Sequence, residues 1–201
     1  MSHTFDTDAR VRSALLDVPR TWFLPQQEQP YAAQNRPLPI GFGQTNSQPT
    51  TVAQMLTLLD PQPGDHALDV GTGSGWTAGL LSHLVGATGV VHGVERVPSL
   101  VELARTHLAA AGFTDVTVEQ PEADVLGAPT RAPFDKILVS AEAPQLPDDL
   151  VDQLDEGGRM VMPVAGRMLV VERRTGGGVD VRRLGHYSFV PLTWTGRPSN
   201  S

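Results

Sequence analysis

The feature that most constrains the fold is a regular alternation of apolar and helical segments between residues 66 and 164. The segments predicted as strands are rich in Val, Ile and Leu; they are His66–Val70, Val90–Glu95, Val116–Glu119, Phe134–Ser140 and Arg159–Val164. The segments predicted as helices between them are Trp76–Val85, Ser99–Ala111 and Asp148–Leu154, the last ended by two glycines at 157 and 158. Strands joined by helices favour right-handed crossovers and a parallel sheet. The expected fold class is α/β, with a mostly parallel sheet and helices on both faces.

A hairpin is predicted after the last of these strands. The segments Arg167–Arg174 and Val179–His186 flank a Thr-Gly-Gly-Gly sequence, and glycine-rich turns of this kind join antiparallel strands. Each segment also carries a pair of neighbouring arginines. Charged side chains on an edge strand oppose pairing with another molecule, so we expect a solvated antiparallel edge rather than a nucleic-acid surface.

The N-terminal region has a different pattern. Helices are predicted over Thr7–Asp17 and Pro49–Leu59, but Arg20–Gln48 between them has neither helical nor strand periodicity. A long loop of this kind inside a compact domain is usually functional. The simplest organisation is a single domain over residues 1–201, in which residues 1–48 form a helix-and-loop cap.

Composition excludes several kinds of chemistry and several partners. The 201 residues include no Cys, which excludes a thiol nucleophile, a disulfide framework and a Cys-ligated metal. The histidines lack ligand spacing, so no metal is expected. The formal net charge of −7 argues against non-specific nucleic-acid binding. No apolar run approaches the roughly 20 residues that span a bilayer, and the N-terminus is polar, so neither a membrane segment nor a secretory signal is expected.

A glycine-rich segment lies where the first central strand meets its helix, with the sequence Asp69-Val-Gly-Thr-Gly-Ser-Gly-Trp76. Alternate glycines let the backbone turn sharply and let a ligand lie against peptide groups. The third glycine comes one residue too early for a dinucleotide fingerprint, and the Lys-Ser/Thr pair of a P-loop is missing. An alternative is that these glycines merely pack the helix closely on the strand.

An acidic residue at the end of the next strand favours the ligand interpretation. Glu95 lies 24 residues after Gly71, and a carboxylate in this position typically accepts hydrogen bonds from ribose hydroxyls. A nucleoside without a pyrophosphate, bound over such glycines, indicates S-adenosylmethionine.

The most specific motif is Pro39-Ile-Gly-Phe-Gly-Gln-Thr-Asn-Ser-Gln-Pro49. It resembles the signature loop of the protein-L-isoaspartate O-methyltransferases, and the resemblance extends over nearly the whole chain. Further matching segments are Val18–Arg20 with Phe23, Asp69–Trp76, Val94–Arg96, Ala132–Ala141, Gln153–Gly158 and Phe189–Leu192. The glycine-rich segment is common to many methyltransferases, whereas residues 43–49 and Phe189–Leu192 are far more specific.

The resemblance implies a Rossmann-like class I methyltransferase. Such an enzyme transfers a methyl group from S-adenosylmethionine to the free α-carboxylate of L-isoaspartyl residues in damaged proteins or peptides, and S-adenosylhomocysteine is the second product. The ester then closes to a succinimide, whose hydrolysis restores part of the normal aspartyl linkage. We further expect a cytoplasmic monomer that binds neither nucleic acid nor membranes.

The chemistry of this reaction is compatible with the residues present. A carboxylate is already ionised at neutral pH because its pKa lies near 4, so no general base is required. The enzyme must instead align the reacting atoms. By resemblance, Ser47 is the active-site serine, and the Thr45 hydroxyl and the N–H groups that follow Pro49 suit the same role. An alternative for Ser47 is capping of the following helix.

The resemblance also implies two binding sites. The predicted substrate-binding residues are Gln44, Asn46 and Gln48. The predicted cofactor-binding residues are Asp69, Gly71, Thr72, Gly73, Ser74, Gly75, Trp76, Glu95, Arg96, Ala123, Asp124, Ser140 and Thr193. Trp194 is expected either to cover the cofactor or to fix the end of the chain.

Three departures from the family pattern leave alternatives open. Glu122-Ala-Asp124 replaces the usual Gly-Asp-Gly on the adenine side, Thr50 replaces an aromatic residue or histidine, and Glu142 adds a charge. One alternative is a relative that methylates a normal Asp side chain of a dedicated peptide and forms an aspartimide. The other is a non-catalytic nucleoside-binding protein.

Overall fold

A computed structural model describes residues 7–194 of the chain. The α-helices are α1 (Ala9–Asp17), α2 (Pro49–Leu59), α3 (Trp76–Val85), α4 (Pro98–Ala110) and α5 (Asp148–Val151). The strands are β1 (Leu38–Gly41), β2 (Gln44–Asn46), β3 (His66–Val70), β4 (Val90–Val94), β5 (Thr117–Glu119), β6 (Phe134–Val139), β7 (Leu154–Val164), β8 (Arg167–Arg173) and β9 (Val179–Leu184). Short 3-10 helices cover Arg20–Phe23, Gln29–Tyr31 and Pro129–Arg131.

The main sheet has seven strands in the order β5-β4-β3-β6-β7-β8-β9. Strands β3 to β7 are parallel, whereas β8 is antiparallel to both β7 and β9. The predicted mostly parallel α/β fold with an antiparallel C-terminal hairpin is confirmed. The chain order reverses between β3 and β6, and sheets of this type bind ligands in the crevice beyond the carboxyl ends of their strands at such a point.

Helices cover both faces of the sheet, as predicted, but unequally. Helices α1 to α4 pack on one face through buried side chains that include Leu56, Leu81 and Leu108. The other face is covered by α5, through Leu150, and by the irregular segment around Leu126. The apolar residues of β3 alternate between these two clusters because successive strand side chains point to opposite faces. A strand buried on both faces reads as a nearly continuous apolar run, which is why the sequence predicts this region well.

The N-terminal loop has more regular structure than its sequence predicts. Arg20–Gln48 contains two short 3-10 helices and an antiparallel hairpin in which Leu38 pairs with Asn46. The turn of this hairpin is made by residues 41–43, all with positive φ (91°, 55° and 72°). Strands of three and four residues carry too little alternation to be recognised from sequence.

The region after β6 also differs from its prediction. The helix predicted over Asp148–Leu154 ends at Val151, and β7 begins at Leu154 and continues through the two glycines that were expected to stop a helix. The pairing of β6 with β7 shifts register here, and a Cβ at Gly158 would lie 2.9 Å from the carbonyl oxygen of Phe134. The glycines therefore permit a bulge in a strand.

Three sequence predictions concern the chain as a whole. No helix within residues 7–194 is long and apolar enough to cross a bilayer. Among the same residues, no group of three or more His, Cys, Asp or Glu side chains is arranged to hold a metal ion. The predicted single domain over residues 1–201 includes residues 1–6 and 195–201, which lie outside the described residues, and it stays a prediction.

Candidate active site

A cleft opens at the edge of the sheet where β3, β4 and β6 end. The Gly71 N–H donates to the carbonyl of Val94 (2.9 Å), and the Ser140 N–H donates to the carbonyl of Val70 (2.8 Å). These hydrogen bonds join the three segments that follow the strands. The cleft holds about 960 Å³ of space, part of it open to solvent. Its walls come from residues in the ranges 40–47, 70–77, 94–97, 121–127, 140–141 and 190–194.

Asp69 lies beneath the glycine-rich segment and is fully buried. Its Oδ2 accepts a hydrogen bond from the Thr77 hydroxyl (2.7 Å), while Oδ1 has no hydrogen-bond partner among the described residues. Burial raises the pKa of Asp69 to about 7, and the hydrogen bond from Thr77 opposes this effect. The Thr72 hydroxyl donates to the backbone carbonyl of Asp69 at 3.0 Å. A buried acceptor without a partner is costly to the fold. Asp69 lies outside the cleft lining, so its predicted contact with the cofactor stays a prediction.

Glu95, directly after β4, closes the glycine-rich segment from the side. Its Oε2 accepts a hydrogen bond from the Gly73 N–H and its Oε1 from the Val97 N–H, both at 2.9 Å. The carboxylate is buried at the cleft wall. Each carboxylate oxygen accepts more than one hydrogen bond, so capacity remains for the hydroxyls of a ribose.

The glycines of this segment have different neighbours. Gly71 and Gly73 line the cleft, which agrees with close approach of a ligand to the backbone. Gly75 does not line it; it starts α3 with a φ of 102°, and a Cβ there would lie 3.2 Å from the Leu108 side chain on α4. The packing alternative therefore describes Gly75 but not the other two.

Trp76 is largely internal. Its ring is buried, and the indole Nε1–H donates to the carbonyl of Val18 at 3.0 Å. This hydrogen bond ties the end of α1 to the start of α3, although part of the residue reaches the cleft wall. Thr72 and Ser74 of the same segment also line the cleft.

The loop that carries the family signature forms the facing wall. Gln44, Thr45, Asn46 and Ser47 line the cleft, whereas Gln48 does not. Helix α2 is capped at Gln48 without a side-chain hydrogen bond, so the capping alternative for Ser47 is wrong. The Thr45 side chain is exposed and that of Ser47 is half-buried, so both hydroxyls are available at the wall.

The N–H groups at the start of α2 are used inside the protein. The Thr50 N–H donates to Oδ1 of Asn35 (3.1 Å), and the N–H groups of Thr51 and Val52 donate to the carbonyl of Gln48 (3.1 and 3.2 Å). From the sequence, we expected these N–H groups to hold the substrate carboxylate. Their internal acceptors leave the hydroxyls of the loop as the donors that face the cleft.

Of the residues predicted on the adenine side of the cofactor, only some line the cleft. Arg96 lines the cleft, and its Nη1 donates to the carbonyl of Ala123 (3.4 Å). Ala123 and Asp124 are exposed and lie outside the lining, which comes instead from Pro121 and Val125–Gly127. Sequence reasoning missed these apolar residues because they lie in an irregular segment without a recognisable pattern.

The last described residues complete the cleft. Val190–Trp194 line it, including the predicted Thr193. They run beside Glu142, whose N–H donates to the carbonyl of Val190 and whose carbonyl accepts from the Leu192 N–H, both at 2.8 Å. The indole N–H of Trp194 is buried without a partner among the described residues. The resemblance marked Phe189–Leu192 as family-specific but gave these residues no role in the site.

Comparison with known proteins identifies the family. The sequence profile of the family described as protein-L-isoaspartate(D-aspartate) O-methyltransferase (PCMT) matches residues 1–196. The chain belongs to this family. The protein-L-isoaspartate O-methyltransferase of Aeropyrum pernix is 45% identical over 190 residues, which cover 92% of this chain and 73% of the relative. The corresponding protein of Methanococcoides burtonii is 42% identical over 189 residues, which cover 92% of this chain and 93% of the relative.

Solved structures of PCMT proteins share the fold. One described as a protein-L-isoaspartate O-methyltransferase superposes with a TM-score of 0.84 at 23% identity, over 93% of this chain and 62% of that chain. A putative protein-L-isoaspartate O-methyltransferase from Plasmodium falciparum, solved in complex with S-adenosyl-L-homocysteine, gives a TM-score of 0.78 at 26% identity, over 92% of this chain and 91% of that chain. The predicted class I methyltransferase fold and the predicted family are confirmed.

Proposed function

We propose that this protein transfers a methyl group from S-adenosylmethionine to the free α-carboxylate of L-isoaspartyl residues in damaged proteins or peptides, which starts their repair through a succinimide. One observation carries the proposal. The loop of residues 44–47, which belongs to the most specific motif of the family, faces the glycine-rich segment and Glu95 across one cleft. The group to be methylated and the methyl donor would therefore meet between these two walls.

The described residues fit S-adenosylmethionine. Glu95 lines the cleft and retains acceptor capacity for ribose hydroxyls. Bound S-adenosylmethionine supplies a methyl group on a sulfonium, which a carboxylate attacks directly. The lining residues proposed to hold it are Gly71, Thr72, Gly73, Ser74, Trp76, Glu95, Arg96, Ser140 and Thr193. Asp69, Gly75, Ala123 and Asp124, which lie outside the lining, stay predictions as contacts.

The contribution of the protein is alignment rather than proton transfer. The acceptor carboxylate is ionised at neutral pH because its ordinary pKa is near 4. The hydroxyls of Thr45 and Ser47 would donate hydrogen bonds to one carboxylate oxygen and point the other at the methyl group. Gln44 at the same wall would contact the peptide, as we also propose for Gln48 and Asn46. Weak donors suit this task because the carboxylate charge is lost in the transition state.

The departures from the family pattern give no support to the alternative substrate. The Thr50 hydroxyl donates to Asn35 (2.8 Å), and Ala123 lies outside the cleft lining. The Glu142 carboxylate accepts hydrogen bonds from the N–H groups of Gly166 and Phe189. None of them alters the wall that would hold the substrate carboxylate. We also propose that the chain works as a single methyltransferase domain, with residues 1–48 as its cap, and as a cytoplasmic monomer that does not bind nucleic acid.

A paired-peptide assay tests the proposal. Two versions of one peptide, with either an L-isoaspartyl or a normal aspartyl residue at the same position, are incubated with labelled methyl donor. We expect label in the isoaspartyl version and a background level in the other. Label confined to the aspartyl version would establish the aspartimide alternative. Binding of S-adenosylhomocysteine without transfer to either peptide would establish a non-catalytic protein.

The variant Ser47→Ala links this activity to the signature loop. A hydrogen bond to a charged group contributes about 1.5–3 kcal/mol, so kcat/KM for the isoaspartyl peptide should fall by about 10- to 150-fold. Thermal stability should change little because this side chain caps no helix. Ser13→Ala, on the exposed side of α1, is the matched control and should keep full activity.

A further inference from the structure

Arg20 is a buried arginine that organises the N-terminal loop. Its side chain is only 5% exposed, and its Nε and Nη2 donate to Oδ1 and the carbonyl oxygen of Asn46, both at 2.8 Å. Its remaining hydrogen bonds go to the carbonyl oxygens of Ala32 (3.3 Å), Gln34 (3.2 Å) and Arg36 (3.0 Å). Within the described residues all of these acceptors are uncharged. The guanidinium therefore fixes several turns of the loop to β2 without forming an ion pair.

Asn46 connects this centre to the other wall of the cleft. It is 6% exposed, and its Nδ2 donates to Oγ of Ser74 at 3.3 Å. Because strand side chains alternate, Asn46 points inward while its neighbours Thr45 and Ser47 are more accessible. Its hydrogen bonds therefore set the position of the two hydroxyls proposed to hold the substrate.

The direction of these hydrogen bonds is determined by their donors. Arginine has no acceptor, so Asn46 must present its Oδ1 to Arg20 and its amide N–H to Ser74. The Ser74 hydroxyl is thereby an acceptor toward Asn46, which leaves its own proton for another acceptor. Ser74 is 1% exposed and lies at the cleft wall between two glycines. A ligand that accepts this proton would hold Ser74, and through it Asn46, in place.

The start of α3 reinforces the same connection. The Arg20 guanidinium lies over the ring of Trp76, 5.6 Å from its centroid. A cation over an aromatic face is attracted to it, and the attraction is stronger away from water. The buried arginine thus contacts the glycine-rich segment at Trp76 and also acts on it through Asn46.

We propose that Arg20 is a positioning residue and that it acts through the contact between Asn46 and Ser74 to couple the two walls of the cleft, so that binding of the cofactor strengthens binding of the peptide and the reverse. The inference rests on the proposed function, because it assigns the peptide to the wall of residues 44–47. Coupling between two sites is reciprocal and is commonly 5- to 150-fold in affinity. In this protein it would be carried by side chains that neither hold the acceptor carboxylate nor transfer a proton.

The coupling is measured directly with S-adenosylhomocysteine, which cannot donate a methyl group and so gives a stable ternary complex with the isoaspartyl peptide. Calorimetry gives the Kd of S-adenosylhomocysteine without the peptide and at saturating peptide. We expect the peptide to lower this Kd by at least about 5-fold in the wild type. In Ser74→Ala, which removes the acceptor of Asn46, and in Arg20→Lys, which removes the bidentate contact, the ratio should fall to near 1.

The double variant and a matched control complete the test. Ser74→Ala combined with Arg20→Lys should show no further loss of coupling, since both changes interrupt one chain of contacts. Thr117→Val removes a side-chain hydrogen bond to His92 outside the cleft lining, and it should keep the wild-type ratio whatever its thermal stability.

Two results would overturn the inference while leaving the proposed function intact. The first is a wild type that binds both ligands without any coupling. The second is single variants that keep the wild-type ratio and only unfold at lower temperature, which would give the network a structural role alone. A wild type that binds S-adenosylhomocysteine but neither binds nor methylates the isoaspartyl peptide overturns the proposed function, and this inference with it.

Discussion

At the scale of single residues, the buried carboxyl group of Asp69, beneath the glycine-rich segment, carries a cost to the stability of the fold. This group is fully buried, one oxygen is without a partner among the described residues, and burial raises its pKa to about 7. Near neutral pH the group is therefore divided between its protonated and ionised forms.

The cost should appear in the pH dependence of stability. The folded pKa is about 7 and the ordinary value is 3.8, so between these values the folded protein keeps a proton that the unfolded chain has released. This contribution to stability is complete below pH 4 and is lost as the pH rises through 7. In the ligand-free protein, the free energy of unfolding relative to Asp69→Asn should fall by about 2–3 kcal/mol between pH 5 and pH 8.

Urea denaturation of the wild type and Asp69→Asn at both pH values measures this difference. The asparagine variant has no titrating group at this position, so it serves as the reference for the wild type. Parallel pH profiles for the two proteins would contradict the raised pKa of Asp69.

At the scale of elements, the C-terminal segment lies against residue 142 through backbone hydrogen bonds and through the Glu142 side chain. Residues 190–192 run beside residue 142, and the Glu142 carboxylate accepts hydrogen bonds from the N–H groups of Gly166 (2.9 Å) and Phe189 (3.4 Å). Glu142 thus ties the turn between β7 and β8 to a segment that lines the cleft. The charge that departs from the family pattern has a structural role at this point.

Glu142→Ala should loosen this segment selectively. Loss of two hydrogen bonds to a charged acceptor should speed amide exchange in residues 187–194 by about 10-fold or more and raise the KM for S-adenosylmethionine several-fold. Hydrogen-exchange mass spectrometry and steady-state kinetics measure the two effects. Glu156→Ala is the matched control, since Glu156 accepts from the Gly176 N–H at 3.3 Å away from the cleft lining. Equal effects in both variants would show a general loss of stability instead.

The elements also show what a sequence can and cannot predict here. The central strands were predictable because burial on both faces makes them continuous apolar runs, and the glycine-rich segment because its backbone conformation requires glycine. The β1–β2 hairpin was not, since its strands are too short to show a period. The glycines after α5 have one signature for a helix stop and for a strand bulge, and local sequence does not separate them.

The site itself was predictable as a set of residues but not as a set of contacts. Family resemblance identified the loop of residues 44–47 and the acidic residue after β4, and both reach the cleft. The inward direction of Asn46 and the Asn35 acceptor at the start of α2 depend on partners that are far away in the chain. Long-range hydrogen bonds of this kind leave no periodic pattern in the sequence.

At the scale of the whole molecule, the net charge of −7 has the same sign as the charge of the substrate carboxylate. An isoaspartyl peptide brings a carboxylate to a protein that repels anions at long range. Among residues 7–194, the lining contributes one positively charged side chain, Arg96, and one negatively charged side chain, Glu95. A bound sulfonium would add a further positive charge.

Peptide charge should therefore affect binding in a salt-dependent way. An isoaspartyl peptide flanked by Lys should show a KM several-fold lower than one flanked by Glu at low ionic strength. The difference should shrink to less than about 2-fold at 0.5 M salt, where the Debye length falls to a few Å. Steady-state assays of both peptides over a salt series measure this. A ratio that is constant with salt would indicate a short-range contact instead of the field of the molecule.

The burial of Asn46 has a consequence for the lifetime of the protein itself. An asparagine followed by a small residue is prone to spontaneous deamidation, in which the next backbone nitrogen attacks the side-chain carbonyl and forms a cyclic imide. Asn46 precedes Ser47, so the signature loop carries such a pair at its centre. Here the amide is held at both ends, by Arg20 and Ser74, which restricts the side-chain rotation that the attack requires. The contacts that position the loop should therefore also slow the deamidation of Asn46. Deamidation through a cyclic imide is the same reaction that creates the damage this protein is proposed to reverse.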